Sequence, residues 1–316
     1  MSEYNDNHYD IMSENGLNDI EKTLIDMENR EKNKKKNRKI ISMIILALII
    51  IGIIILIIVL KIKDDDDVDD VDVDVDDYDY DDVDADDDEN KKVKDNDTNP
   101  LIIEPTENYS YCLIFIHGLN DNPEHFQKYF ENIYFSKKNS TKLIFLRAPK
   151  TDVSYKNLTN VSSWFNIYSI PLNSTSCYDF KDVEKSEKII KETILNEVKM
   201  LDGNYNKIII GGHSQGACLS LFLSYTEDFL LGGVISLCGV LFEETDINKN
   251  KDSLKALILH GEKDKFIPIS YHNKTIEKIS NFSGVERFYI PEEDHFIDDN
   301  NEFIFKIEEF LNRTLV

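Results

Sequence analysis

The segment Lys207–Leu223, KIIIGGHSQGACLSLFL, leaves a chain few ways to fold. Its first apolar run is short and continuous, so it reads as a strand covered on both faces rather than a half-exposed one. Two glycines follow, then a serine before Gln-Gly, then a second apolar run of helical length. The glycines mark a place where backbone must pass close to backbone. A buried strand that turns at once into a buried helix belongs to a layered sheet with helices on its faces.

The same texture recurs from about Pro105 onward. LIFI (Leu113–Ile116), LIFL (Leu143–Leu146), IIIG (Ile208–Gly211), VISLC (Val234–Cys238), ALIL (Ala256–Leu259) and RFYI (Arg287–Ile290) all read as buried strands. Between them Val183, Ile190, Ile194, Val198 and Leu201 recur at helical spacing, and Phe303, Ile307 and Phe310 do so near the C-terminus. Strands alternating with helices predict a mostly parallel sheet with right-handed crossovers. No internal repeat is visible.

In such a sheet the chemistry sits at the carboxyl ends of the strands, and Ser214 falls there. A serine on a sharp strand-to-helix turn stands exposed over the sheet, and the Gln215 amide at the start of the helix faces a developing oxyanion. A serine nucleophile of this kind is followed in the chain by its acid and then its histidine. After Ser214 the candidates are His260, His272 and His295. His260 closes a strand and reads as structural, and His272 lies at a helix start. His295 follows the strand RFYI in the loop PEEDH, where a base belongs. The stretch LILHGEKDKFIP offers Glu262 and Asp264 as the acid, and Asp264 is preferred. Asp294 adjoins His295 too closely to reach its ring. The second oxyanion amide is expected from the strand-end loop LIFIHGLNDN, at Leu119, with His117 fixing that loop.

The stretches FIHGLNDNP, APKTDV, SSWFNIY, IIIGGHSQGACLSL and ILHGEKDKFIP, with DHF near the end, resemble the acyl-protein thioesterase and carboxylesterase family. The likeness runs in order from about Tyr111 to Leu315. It implies an α/β-hydrolase fold, no cofactor, and a substrate that is an acylated protein thioester, a lysophospholipid or a small carboxylic ester. The family's triad carries onto Ser214, Asp264 and His295, its oxyanion amides onto Leu119 and Gln215, and its tryptophan near the acyl site onto Trp164. Asn120 stands where the family usually has Gly, Asn166 where it usually has Asp, and His213 where a Phe is common. The reaction expected is acyl transfer through Ser214. The competing class is a non-catalytic binding domain on a hydrolase fold.

Residues upstream of this region have a different character. Ile40–Leu60 is 21 residues long with only Ser42 and Gly52 not plainly apolar, enough for about 30 Å of helix. It predicts a single transmembrane helix after a polar tail, 1–39. Seven bases from Arg30 to Lys39, against Lys61 and Lys63 beyond the run, predict a cytoplasmic N-terminus and a lumenal or external catalytic domain. This sits against the resemblance, because family members that remove palmitate from proteins work in the cytosol. Residues 61–104 read as a disordered acidic linker, since 17 Asp and one Glu fall between Asp64 and Glu89 with no Lys or Arg. Residues 105–316 then form the hydrolase domain. Without those 18 acids, 42 acids face 36 bases, so most of the net charge of −24 belongs to one segment and no nucleic-acid footprint remains. The Asp run lacks calcium-loop spacing, and no metal is expected. Cys112, Cys218 and Cys238 read as buried thiols and Cys177 as a loop residue. The sequons at Asn157 and Asn173 are ones an Asn-rich chain produces by chance.

Overall fold

The computed structural model describes residues 98–297 and 301–316. Seven strands build one sheet: β1 (Leu101–Ile103), β2 (Tyr111–Ile116), β3 (Thr141–Leu146), β6 (Ile208–His213), β7 (Gly233–Leu237), β8 (Ala256–Gly261) and β9 (Val285–Ile290). Their order is β1-β3-β2-β6-β7-β8-β9. Every neighbouring pair is parallel except β1 against β3. Strands β4 (Lys150–Val153) and β5 (Leu158–Ser162) form a separate antiparallel hairpin.

Alternation along β2 divides the core. Ile114 and Ile116 face one side with α2 (Phe180–Met200), through Val183, Ile190 and Ile194. Leu113 and Phe115 face the other side with α1 (Pro123–Glu131) and α5 (Asn301–Thr314), through Phe126, Phe130, Phe303, Ile307 and Phe310. Each of these helices buries one stripe and keeps its charged residues out of the core. Helix α3 (Gln215–Thr226) differs, because every residue from Gln215 to Tyr225 is buried. It is buried on all sides and lies within the core. The short α4 (Ile269–Ile276) completes the set and carries His272.

Caps set the helix starts. Asn122 Oδ1 accepts the His125 amide at 2.9 Å before α1, with Pro123 in the first turn where its missing N–H costs nothing. Asp179 Oδ1 accepts the Lys181 amide at 2.9 Å before α2.

The topology locates the site. The chain leaves β2 for β3 on one side and returns to its other side with β6, so strand order reverses there. Ligands in open α/β sheets bind outside the carboxyl ends at such a switch point. The pairing of Ile116 with Gly212 brings those two strand ends level.

All six strands expected from apolar runs are present. The edge strand β1 and the hairpin β4–β5 were not anticipated. β1 is three residues long, and the hairpin is mostly polar and exposed, so neither carries a strand's hydrophobic signature. Cys238, the end of the run VISLC, leaves β7 at φ 52°. Ile40–Leu60, its basic flank and the Asp-rich stretch lie outside the described residues. Among the described residues no helix is long and apolar enough to cross a membrane.

Candidate active site

The turn after β6 is made by close backbone approach. A methyl group on Gly216 would collide with the Ile116 carbonyl, and one on Gly212 would stand 2.7 Å from the same oxygen. Only glycine allows α3 to start this near β2. Between them Ser214 adopts φ 52°, ψ −117°, a region side chains avoid. Its amide donates to the Leu237 carbonyl at 3.0 Å and its carbonyl accepts the Cys218 amide at 3.0 Å. Both sides of the strained residue are therefore fixed, and its hydroxyl is turned off the sheet.

His295 reaches that hydroxyl, with Nε2 2.8 Å from Ser214 Oγ. Its Nδ1 lies 2.8 Å from Asp264 Oδ2. Asp264 Oδ1 accepts the amides of Phe266 at 2.9 Å and Ile267 at 2.8 Å. Burial opposes the charge on Asp264, but the His295 imidazole and these donors hold its carboxyl below the ordinary aspartate range. Glu262, the other acid considered, is exposed. The loop carrying His295 comes close because Gly261 makes room: a methyl group there would strike the Asp294 and Glu293 carbonyls.

The other two histidines that follow Ser214 are occupied elsewhere. His260 Nε2 donates to the Ile267 carbonyl at 2.8 Å, and His272 Nδ1 to the Gly239 carbonyl at 2.7 Å. Their rings stack at 4.0 Å. Burial pushes both below the usual imidazole value, His272 to about 3. His213 is lowered to about 4 by burial and by its neighbour His295, and its Nε2 donates to the His295 carbonyl at 2.8 Å.

Two backbone amides belong to the segments that meet at the serine, those of Gln215 and Leu119. The Gln215 amide is the first of α3 and has no acceptor inside the helix. At the end of β2, His117 Nδ1 donates to the Gly118 carbonyl at 2.7 Å while its Nε2 accepts the Ala148 amide at 3.1 Å. That pins the Gly118–Leu119 peptide with its carbonyl toward His117. In a trans peptide the Leu119 N–H then points the opposite way. Gly118 packs on the turn itself: a methyl group there would lie 3.2 Å from Ser214 Cβ. Asn120 adopts φ 55°, a conformation asparagine tolerates in place of glycine, and its amide donates to Ser162 at 2.7 Å.

Trp164 is 2% exposed. Its Nε1 donates to the His117 carbonyl at 2.9 Å, and its amide to Gln215 Oε1 at 3.0 Å. Gln215 Nε2 donates to the Phe165 carbonyl at 2.8 Å and to Ser163 Oγ at 3.1 Å. The Gln215 side chain therefore ties the loop after β5 to the start of α3, a role its sequence position did not reveal. Asn166 Oδ1 accepts the Ser154 amide at 2.8 Å, which steadies the same loop. Phe266, two residues after Asp264, stacks on His295 and was also missed; its spacing from the acid was the only signal. All four cysteines are free and buried, Cys177 included.

A serine on a strand-to-helix elbow over a parallel sheet, with histidine and aspartate on later strand-end loops, is the arrangement of an α/β-hydrolase. Residues 97–315 match the family model described as phospholipase/carboxylesterase, and the chain belongs to that family. It is an enzyme of the serine ester and thioester hydrolase class. Acyl-protein thioesterase 1 homolog 1 of Dictyostelium discoideum is 31% identical over 175 residues, 54% of this chain and 75% of that protein. Acyl-protein thioesterase 1 of Candida albicans is 33% identical over 175 residues, 52% of this chain and 75% of that protein. The crystal structure of Zea mays acyl-protein thioesterase 2 superposes with TM-score 0.56 at 18% identity, covering 70% of this chain and all of that one, a likeness of fold.

These findings correct the expected localisation. A single-pass protein with a lumenal or external catalytic domain rested on bases flanking one apolar run, and such a count sets an orientation only once a span exists. The relatives are acyl-protein thioesterases, the branch whose resemblance already pointed the other way, and the apolar run itself lies outside the described residues.

Proposed function

We propose that the chain hydrolyses acyl thioesters and carboxylic esters through a Ser214–His295–Asp264 triad and an acyl-enzyme. The observation that supports it is the unbroken hydrogen-bonded line from Ser214 Oγ through both nitrogens of His295 to Asp264. His295 Nε2 takes the serine proton as Oγ attacks the acyl carbonyl. The Leu119 and Gln215 amides hold the oxyanion of the tetrahedral intermediate. The intermediate collapses, and the proton passes from Nε2 to the departing thiolate or alkoxide. Water then repeats the sequence on the acyl-enzyme and releases the acid. Asp264 keeps His295 in the Nδ1–H tautomer and stabilises the imidazolium. Trp164 backs the acyl site and fixes the Leu119 loop from behind. Acylated proteins are the substrate class favoured, by analogy with the named activity of the relatives. Lysophospholipids and small esters are the alternative.

A fluorophosphonate probe tests the chemistry. The full chain is expected to be labelled at Ser214 and Ser214→Ala to resist labelling. Equal labelling of both would overturn the assignment. Turnover of an S-palmitoyl peptide against a lysophospholipid of the same chain length then decides between substrates.

A further inference from the structure

Asp264 uses its two oxygens for different tasks. Oδ2 meets His295 Nδ1, while Oδ1 fixes the backbone of Phe266 through its amide at 2.9 Å. The acid beside the imidazole therefore also positions the residue two places on. The Phe266 ring turns back over His295, with centroids 5.0 Å apart and planes at 27°. Both side chains are buried. The Phe266 carbonyl accepts the Leu172 amide at 2.7 Å, and Phe296 packs edge-on against Phe266 at 5.6 Å and against His295 at 5.9 Å. The stacked ring is thus held from its backbone and from its rim.

An aromatic face is the negative end of the ring quadrupole. It offers little to a neutral imidazole and attracts an imidazolium, more strongly where water is excluded. On the proposed mechanism His295 becomes a cation when it takes the serine proton. An interaction that strengthens in the transition state accelerates the chemical step, whereas one equal in both states does not. We propose that Phe266 is a positioning residue that acts through His295, its π face stabilising the imidazolium formed when Ser214 is deprotonated. The proton moves from Oγ to Nε2 as the bond from Oγ to the acyl carbon forms, and later from Nε2 to the leaving group. Phe266 gains and loses nothing. This inference rests on the triad reading above.

The other ionisable or hydroxyl groups around His295 come from several elements. They are Asp264 beyond β8, His260 on β8, Cys238 beyond β7, His213 on β6 and Ser214 at the elbow, while Asp294 on its own loop turns its carboxylate to the Phe296 amide. All are retained in the variants below, so differences between variants report the ring.

The test compares the full chain with Phe266→Leu, Phe266→Tyr and a form in which the Phe266 ring is replaced by its pentafluoro analogue, which keeps the shape and reverses the quadrupole. The pH profile of kcat/KM and the separate kcat and KM are measured on a p-nitrophenyl ester. In Phe266→Leu, kcat is expected to fall about three- to tenfold with KM nearly unchanged, and the acid limb to move about half a pH unit or more to lower pH. The pentafluoro form moves the same way, and Phe266→Tyr stays close to the parent. A pentafluoro form that keeps the parent's kcat and acid limb overturns the proposal, as does a tyrosine variant as impaired as leucine. Fluorophosphonate labelling of the parent at Ser214 separates the two readings. Its absence sinks the triad and this role together, whereas labelling with unmoved limbs sinks this role alone.

Discussion

His295 Nε2 stands 2.8 Å from Ser214 Oγ across 81 positions of sequence. The approach is built by glycine at both ends: Gly212 and Gly216 let α3 begin against β2, and Gly261 admits the Glu293–Asp294 backbone. On the proposed mechanism serine and histidine work as one unit. Ser214→Ala and His295→Ala are each expected to lower kcat by about 10⁴-fold or more, and the double variant to cost little beyond either single one. Steady-state kinetics on a chromogenic ester measure this. Multiplying losses in the double variant would mean the two side chains act independently.

The same logic separates the two candidate acids. Asp264 accepts hydrogen bonds on both oxygens from buried partners, whereas Glu262 is exposed. Asp264→Asn leaves an amide facing His295 and favours the wrong imidazole tautomer, a change that costs up to about 10⁴-fold in a serine-protease triad. Glu262→Gln is expected to stay within about twofold of the parent, as surface changes away from such networks do. The opposite ranking in kcat would transfer the role to Glu262.

Much of this site is legible in the sequence because its parts are local. The Gly-His-Ser-Gln-Gly elbow is contiguous, the strands announce themselves as apolar runs, and the order serine, acid, histidine restricts the partners. Asp264 and His295, which the structure brings together with Ser214, were singled out by their position after strand ends, a property of topology that chain order preserves. Other features depend on three-dimensional packing. The Gln215 side chain reaches a loop some fifty residues earlier, and Phe266 matters only because its ring folds back over His295. The polar hairpin β4–β5 pairs through its backbone and has no hydrophobic pattern to read. The expected lumenal placement failed for a different reason: a count of bases orients a span but does not establish that one exists.

Buried neutral histidines make acid stability predictable. His272 is pushed from 6.5 to about 3 by burial and by stacked His260, so the folded protein holds it neutral. The unfolded chain binds its proton near pH 6.5. Between these values the unfolded state carries more protons, so stability falls as pH drops. His272→Asn keeps an N–H donor near the Gly239 carbonyl and removes the titration. Its unfolding free energy is expected to decline less between pH 7 and pH 5, by about 2 kcal/mol. Urea titrations at the two pH values measure the difference. Parallel declines in parent and variant would show that His272 is not held neutral.

The last prediction separates the Gln215 main chain from its side chain. The backbone amide is the proposed oxyanion donor, and alanine retains it. The side chain instead accepts the Trp164 amide and donates to the Phe165 carbonyl, inside a buried cluster that also anchors Trp164 to His117. Gln215→Ala therefore leaves the donor in place and removes the tie that holds the neighbouring loop. Leaving the buried Trp164 amide unpaired costs about 1–3 kcal/mol, which appears as a lower Tm. A loosened Leu119 loop also displaces the second oxyanion donor, and a shift of about 1 Å near a reacting centre costs up to about a hundredfold in rate. We expect kcat to fall about tenfold or more. Trp164 is the single tryptophan of the chain, so its fluorescence reports this loop directly. A red-shifted, more quenchable emission is expected to accompany the loss of rate. Unchanged emission together with unchanged kcat would show that the loop holds its place without Gln215.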